Sequence, residues 1–428
     1  MPDTTERTTG TCPRCGAEIR ADERFTAWCA ACDWNVDPAR PEERPGRRER
    51  TQRALARRHG ERLHAEVTSG RPLRPRRDAS AVLAQVIALA VHAMTAVLAV
   101  AGVWLLLAGL GGAGMVLGPV LLVLAWVLRP RFPGLSAKGP VLRRADAPEL
   151  YALVDEIAAV VGTRGVDAIA VDTDVNASVT TYGVRGRRLL TLGLPLWETL
   201  TPQQRIAILG HELGHYAHGD TRHGHVVATA YWSLTTWHYM LAPIARPSLA
   251  EMAANVFGLV PRLLVRGLLT LLDHLTLRAT QRAEYLADAA AARAGSTEAA
   301  VGFMDRLLVA ESVVTALRRE AGTARTGRRD AGRDEAARAD GLWARLAEHT
   351  ESIPEHEYER RRRAGALRGH AVDSTHPPTH LRRACLLHGE PLPPAVTADD
   401  GRERRIAAEL ADARGALARE LVRYGVRG

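Results

Sequence analysis

Hydrophobic and polar positions divide the chain into stretches of different period. Residues 79–128 pass without a single Asp, Glu, Lys or Arg. A bilayer-spanning helix takes roughly 20 apolar residues, so this run suits two spans, with GLGGAG at 109–114 as the turn between them. One long buried helix of a soluble protein fits poorly, because glycines interrupt it and no polar face remains for solvent. Beyond this hairpin the pattern becomes that of a globular domain. Residues 148–162 have helical spacing, while 166–171, 176–182 and 187–192 read as short strands between Gly or Asp turns. A further helix starts at Thr201, with Pro202 at its first position and Gln204 completing a capping box. It runs to about His218, where Gly219 suits a C-terminal cap. Residues 226–245 carry no charge and are a candidate for a further membrane helix, although they include His238 and Pro243. Residues 252–272 contain Arg262 and Arg266 and read as amphipathic or membrane-associated. Segments 280–294 and 297–320 read as helices, 321–371 as a charged, Arg-rich loop, and 401–424 as an amphipathic helix. There is no internal repeat.

Composition adds a direction to this pattern. The formal charge of +9 alone would suggest nucleic acid, yet only Lys138 among the 57 basic residues is lysine. Such a bias makes the arginine count uninformative about partners, and nucleic acid is not expected. Placement says more. Between Arg40 and Arg77 lie 13 Arg and 5 Glu, a net of +8 directly before the apolar run. Arg129, Arg131, Lys138, Arg143 and Arg144 follow it, and the turn is uncharged. The positive-inside rule then puts both flanks of the hairpin in the cytoplasm, on a multi-pass protein of the cell membrane.

Four of the five cysteines form two C-x-x-C pairs, Cys12/Cys15 and Cys29/Cys32. The N-terminus has no apolar run and reads as no secretory signal, so a reducing compartment and metal ligation are expected rather than disulfides. Four thiolates suit one tetrahedral zinc, and a unit so small has too little core to fold without such a staple. Residues 1–36 are therefore expected to form a zinc ribbon, with Trp28 and Trp34 as its small core and a redox pair as the alternative. Residues 37–78 read as a basic linker. The fifth cysteine, Cys385, reads as a small buried hydrophobe.

The chemistry centres on GHELGHYAHGD, residues 210–220. Positions four apart share a helix face, so His211 and His215 can present two imidazoles to one ion, with Glu212 beside them to accept a proton from water. The bland reading is an accidental pattern on a solvated helix. A third ligand is needed. The pattern that adds a histidine six residues on is excluded, because those positions hold His218 and Thr221 where it needs Gly and His. A glutamate on a later helix is the other common solution. Glu284 in AEYLAD fits, with Asp288 one turn on and able to accept the free N–H of a zinc-bound histidine, His211 by preference; both could instead be ordinary surface acids.

Taken in order, the apolar hairpin, Asn176-Ala177 on a strand, HELGHYAHGD, EYLAD and DSTHPPTHLR at 373–382 resemble the HtpX-like and CAAX-prenyl-protease family of membrane zinc metallopeptidases. The likeness covers roughly 80–390. It implies a catalytic zinc held by His211, His215 and Glu284, with Glu212 as general base and acid. It also implies that the strand bearing Asn176 and Ala177 pairs with extended substrate backbone. Asp220, Asp288 and Arg382 match supporting positions around the centre, and His376, in S/T-H-P-P-x-x-x-R, is a candidate oxyanion stabiliser. The expected fold is mainly α with a small β-sheet: a zincin-like metallopeptidase domain (140–395) attached to a transmembrane helical hairpin, a ribbon before it and an amphipathic helix (396–428) after it. Two zinc ions are expected, one catalytic and one structural. The expected function is membrane-bound endopeptidase cleavage of membrane or misfolded proteins. A catalytically silent tether acting through the ribbon, and a prenyl-peptide-type processing protease, are the alternatives.

Overall fold

The computed structural model describes residues 8–38, 46–69, 79–108, 111–130, 132, 134–135, 137–217, 220–245, 247–326, 339–368 and 377–425. The chain opens with an antiparallel pair, β1 (Thr8–Thr11) and β2 (Glu18–Ala21). Helix α1 (Arg47–Thr68) then runs through the stretch read as a linker. Nothing in the sequence reading assigned it a helix, yet the segment is rich in Ala, Arg and Glu, all tolerated well in helices. Leu63 is buried, and Glu66 holds Arg282 at 2.7 Å.

Helices α2 (Ala79–Leu107) and α3 (Gly111–Leu128) follow. Among the described residues α2 is the one single helix long and apolar enough to cross a membrane, and α3 is shorter. The two approach closely at glycine: a Cβ on Gly102 would lie 2.9 Å from the Gly118 carbonyl oxygen. Next come β3 (Val141–Leu142), α4 (Pro148–Val161), β4 (Ala168–Asp172), β5 (Ala177–Tyr182) and β6 (Arg187–Gly193). The sheet order is β3-β4-β6-β5, with β4 and β6 parallel and the other pairs antiparallel. Strand β5 is thus an edge, while every residue of β4 is buried.

The remainder is helical: α5 (Leu194–Thr199), α6 (Pro202–Ala217), α7 (Asp220–Met240), α8 (Leu249–Phe257), α9 (Leu259–Gly295), α10 (Thr297–Leu308), α11 (Ala310–Thr326), α12 (Leu342–Glu351), α13 (Glu355–Arg368), α14 (Thr379–His388), α15 (Asp400–Glu409) and α16 (Ala411–Tyr424). Several boundaries differ from the sequence reading. Segments 252–272 and 280–294 belong largely to one 37-residue helix, α9, because nothing between them stops a helix. The helix expected at 297–320 breaks at Val309, whose side chain is buried against Ile353 and Tyr358. The expected 321–371 loop contains α12 and α13. In α13 the arginines are matched by acids three and four residues away: Glu357 pairs with Arg360 and Arg361, and Glu359 with Arg362 and Arg363. The last amphipathic segment is two helices meeting at Leu410.

Two cores result. The larger joins the buried sheet residues Ile169, Val171 and Leu190 to α4, α6, α12 and α16. The other lies among α2, α7 and α9, where Ala84, Ala88, Ala230, Leu234 and Leu272 are buried. Around this second core large apolar side chains face outward, including Val97, Val100, Leu107, Trp232, Phe257, Val260 and Leu264. Large apolar side chains on the outside, where a water-soluble bundle carries polar ones, invert the usual pattern.

Candidate metal centre

Helix α6 is positioned from its first turn. Thr201 N–H donates to Gln204 Oε1 at 3.1 Å and Gln204 N–H to Thr201 Oγ at 3.3 Å, a reciprocal cap. Ile206, Leu209 and Leu213 are buried in the main core, which fixes the helix's rotation. Its other face meets α9 at very short range. A Cβ on Gly210 would lie 2.8 Å from Ala294 Cβ, and one on Gly214 would lie 2.9 Å from Ala287 Cα. These glycines let the two helices approach closely enough to bring their polar side chains together.

That approach assembles His211, His215 and Glu284. Their ligand atoms all lie within 4.8 Å of one another. His211 Nε2 is 3.3 Å from His215 Nε2, and each is 3.6 Å from a Glu284 oxygen. Ligands at zinc bond lengths in a tetrahedron sit roughly 3.3–3.5 Å apart, so the type and spacing of these donors suit that ion. Behind it, Asp288 Oδ1 is 3.0 Å from His211 Nδ1. Arg382, delivered by α14, donates to both Asp288 oxygens at 2.5 and 2.8 Å and lies 3.2 Å from Glu284 Oε2. The Phe303 ring of α10 tilts against His211 with centroids 5.8 Å apart.

Charge follows from this packing. Burial, aided by neighbouring His211, pushes His215 down to about 4, leaving a neutral imidazole with a free lone pair. Burial acts most strongly against charge on His211 too, but the hydrogen bond and charge of Asp288, together with the charge of Glu212, raise that group. Asp288 is opposed by burial and is nevertheless held at about 2 by Arg382. Arg382, likewise opposed by burial, is raised by Asp288. Glu212 is buried on the same helix, outside the ligand triangle.

A groove of 570 Å³ reaches this centre, lined by Ser178, Val179, Thr180 and Thr181 of the edge strand, by His215 and Tyr216, and by His225, Thr229 and Trp232 of α7. Tyr216 Oη donates to the Thr180 carbonyl at 2.7 Å, and Arg188 stacks over its ring. Asn176 accepts from Gly193 N–H at 2.8 Å, and Ala177 begins β5. A second cavity, of 260 Å³, adjoins His215 from the side of α2, α7 and α9 and is walled by Ala84, Val227, Leu275 and Ala283. His376 lies outside the described residues, as do His218 and the side chain of Asp220, which opens α7. Phe303 lies in no motif, and Tyr216, although it stands inside GHELGHYAHGD one residue after His215, carries no signal there of its bond to the edge strand.

The cysteines form a separate cluster. Their sulfurs also lie within 4.8 Å of one another, with Cys12–Cys32 at 3.7 Å and Cys15–Cys29 at 3.6 Å. Four sulfurs 2.3 Å from one ion would sit about 3.8 Å apart, whereas a disulfide would bring a pair to about 2.05 Å. The two knuckles repeat one backbone pattern. Gly16 N–H bonds Cys12 C=O and Asp33 N–H bonds Cys29 C=O, both at 2.9 Å. Gly16 and Asp33 both have positive φ, 74° and 55°.

The family model of peptidase family M48 matches residues 144–389, which include α6, α9 and α14 and so every described residue of the His/Glu/Asp/Arg cluster. No curated protein and no solved structure matches the chain. The match spans more than half of the sequence and contains the whole cluster, and the chain therefore belongs to peptidase family M48, a family of zinc-dependent metallopeptidases.

Proposed function

We propose that the protein is a membrane-bound zinc endopeptidase that cleaves extended segments of membrane or misfolded proteins. The observation that carries this reading is the convergence of three ligand atoms from two helices within 4.8 Å, with Asp288 behind His211. His211, His215 and Glu284 hold the zinc. Bound there, zinc supplies Lewis-acid chemistry, polarising a carbonyl and making water acidic enough to react near neutral pH. Glu212 takes the proton from the attacking water and returns it to the leaving amine. Asp288 accepts the His211 Nδ1 proton and so holds the tautomer whose Nε2 lone pair faces the site. Arg382 offsets the buried negative charge of Asp288 and Glu284. Asp220 and His376 remain candidates for supporting and oxyanion-stabilising roles.

The substrate reading rests on the groove. An edge strand offers unpaired backbone groups to an added extended chain. Asn176 turns its carbonyl to β6, so by strand alternation Ala177, Val179 and Thr181 turn theirs outward. Recognition through backbone suits unfolded chains of varied sequence better than one prenylated terminus. The small apolar cavity by His215 would favour a large apolar side chain near the scissile bond.

The membrane reading rests on α2 together with the outward apolar belt of α2, α7, α8 and α9. Arginine on both flanks of α2 and α3 favours a cytoplasmic catalytic domain. The four cysteines hold a second, structural zinc.

Casein cleavage by detergent-purified protein supplied with zinc tests the peptidase. Glu212→Gln should keep its zinc and lose cleavage by at least about 10²-fold, the scale of a lost acid–base group. Full activity in that variant would remove Glu212 from the mechanism, and a wild type that binds zinc but cuts nothing would favour a silent tether.

A further inference from the structure

The cysteine cluster does not stand apart from the catalytic domain. It lies against α12 and α13, and nearly all of its contacts are polar. Arg24 donates to Ser352 Oγ at 3.1 Å and to the Ser352 carbonyl at 3.3 Å. Phe25 packs on the small apolar cluster of Val309, Ile353 and Tyr358. The second knuckle receives Arg363, which donates to the Ala30 carbonyl at 2.6 Å and to Asp33 at 2.9 Å and lies over the Trp28 ring. Arg368 grips Asp37 through two bonds of 2.6 and 2.8 Å.

One contact is fully buried. Arg360 forms a two-pronged pair with Glu357, both bonds at 2.7 Å, and donates from its third nitrogen to the Val36 carbonyl at 2.8 Å. Arg360 and Glu357 are 5% and 1% exposed, so the segment just after the second knuckle seals a charge pair that water would otherwise reach. Helix α13 buries Tyr358 and Ala364 but has little other apolar surface to hold it. Most of its remaining contacts are polar.

From α13 the contacts continue to the catalytic cluster. Asp305 of α10 accepts from Arg362 of α13 at 3.3 Å and from Arg383 of α14 at 3.0 Å. The neighbour of Arg383 is Arg382, whose guanidinium sits on Asp288 and Glu284. We propose that the four-cysteine unit is an internal brace. When its thiolates are drawn around a metal ion, it fixes α13 and, through Asp305, the α14 helix that presents Arg382 to Glu284 and Asp288. The partner of this ribbon is then its own catalytic domain, and Arg360, Arg363, Arg368 and Asp305 are positioning residues. The inference rests on the reading of the His211–His215–Glu284 cluster as the zinc centre.

The test compares full-length wild type with two variants in detergent. Cys12→Ser/Cys15→Ser removes the ribbon's metal, and Arg363→Ala/Arg368→Ala opens the interface while leaving every cysteine in place. The readouts are zinc per chain, the rate at which a chelator extracts the last zinc, proteolytic nicking within 339–368, and the split between kcat and KM on casein. The cysteine variant should hold one zinc instead of two. Both variants should be nicked faster at 339–368 and should release the last zinc about tenfold faster or more, the scale of a lost supporting contact at a metal site. In both, kcat should fall with KM unchanged. Restoring charge with Arg363→Lys/Arg368→Lys should recover part of the effect. Zinc retention, nicking and kcat equal to wild type in the interface variant would overturn the brace. Zinc release is read without cleavage, so a wild type that binds two zinc ions and cuts nothing would end the peptidase reading and still decide this one.

Discussion

At the scale of single residues the catalytic cluster is a balance of buried charge. Glu284, Asp288 and Arg382 are each at most 4% exposed, and a lone ion at such depth would cost several kcal/mol. Their pairing makes Asp288 more than an orienting group, since it also keeps Arg382 satisfied. Asp288→Asn should weaken zinc binding by about 10- to 100-fold, measured by competition with a chromophoric chelator. It should also lower stability by roughly 3–5 kcal/mol through the stranded guanidinium. Asp288→Asn with Arg382→Met should regain part of that stability but not the zinc affinity. Recovery of both would make Asp288 a folding residue alone.

At the scale of elements, the decisive contact is α6 on α9. Glycines at 210 and 214 face alanines at 287, 290 and 294, and this pairing of small residues sets the distance from which Glu284 meets the two histidines. Gly210→Ala places a methyl 2.8 Å from Ala294 Cβ and should cost about 1–3 kcal/mol, the usual range for overpacking. The swap Gly210→Ala with Ala294→Gly should restore part of the thermal midpoint, because the nearest clash is removed. A midpoint unchanged by Gly210→Ala would mean that the helices have slack, and the close-approach argument would fail. The same reasoning applies between α2 and α3, where Gly102 and Gly118 leave no room for a side chain.

At the scale of the whole molecule, a belt of large apolar side chains lies exposed on α2, α3, α7, α8 and α9. The belt does not depend on the hairpin alone, since Trp232, Tyr239, Phe257 and Val260 are exposed on the later helices. The full chain should stay in the membrane pellet through carbonate and high-salt washes and be released by detergent. A chain lacking 79–128 should remain detergent-dependent, because that deletion also uncovers Ala230, Leu234 and Leu272 of the second core. A monodisperse soluble product without detergent would remove the belt from the membrane argument.

Local physics made much of this legible in the sequence. The i, i+4 spacing of His211 and His215 puts two imidazoles on one helix face whatever the fold, and the Thr201–Gln204 box marks where that helix begins. The C-x-x-C spacing likewise brings each cysteine pair together within one turn, and fifty uncharged residues before Arg129 can hardly face water. Helices 47–68 and 355–368 are poor in apolar residues and so escape a reading by apolar periodicity, and in the second of them charge pairs three and four residues apart supply support instead. The family motifs also name Glu284 and Asp288 as partners of the histidines, but only the tertiary structure shows how distant groups meet: Glu284 with the histidines across a glycine–alanine contact, Arg382 bridging Glu284 and Asp288, and the cysteine unit with α13. Sequence by itself determined the residues whose neighbours lie within a turn. Encounters between residues 70 to 330 positions apart depend on how helices pack, and no local spacing encodes that distance.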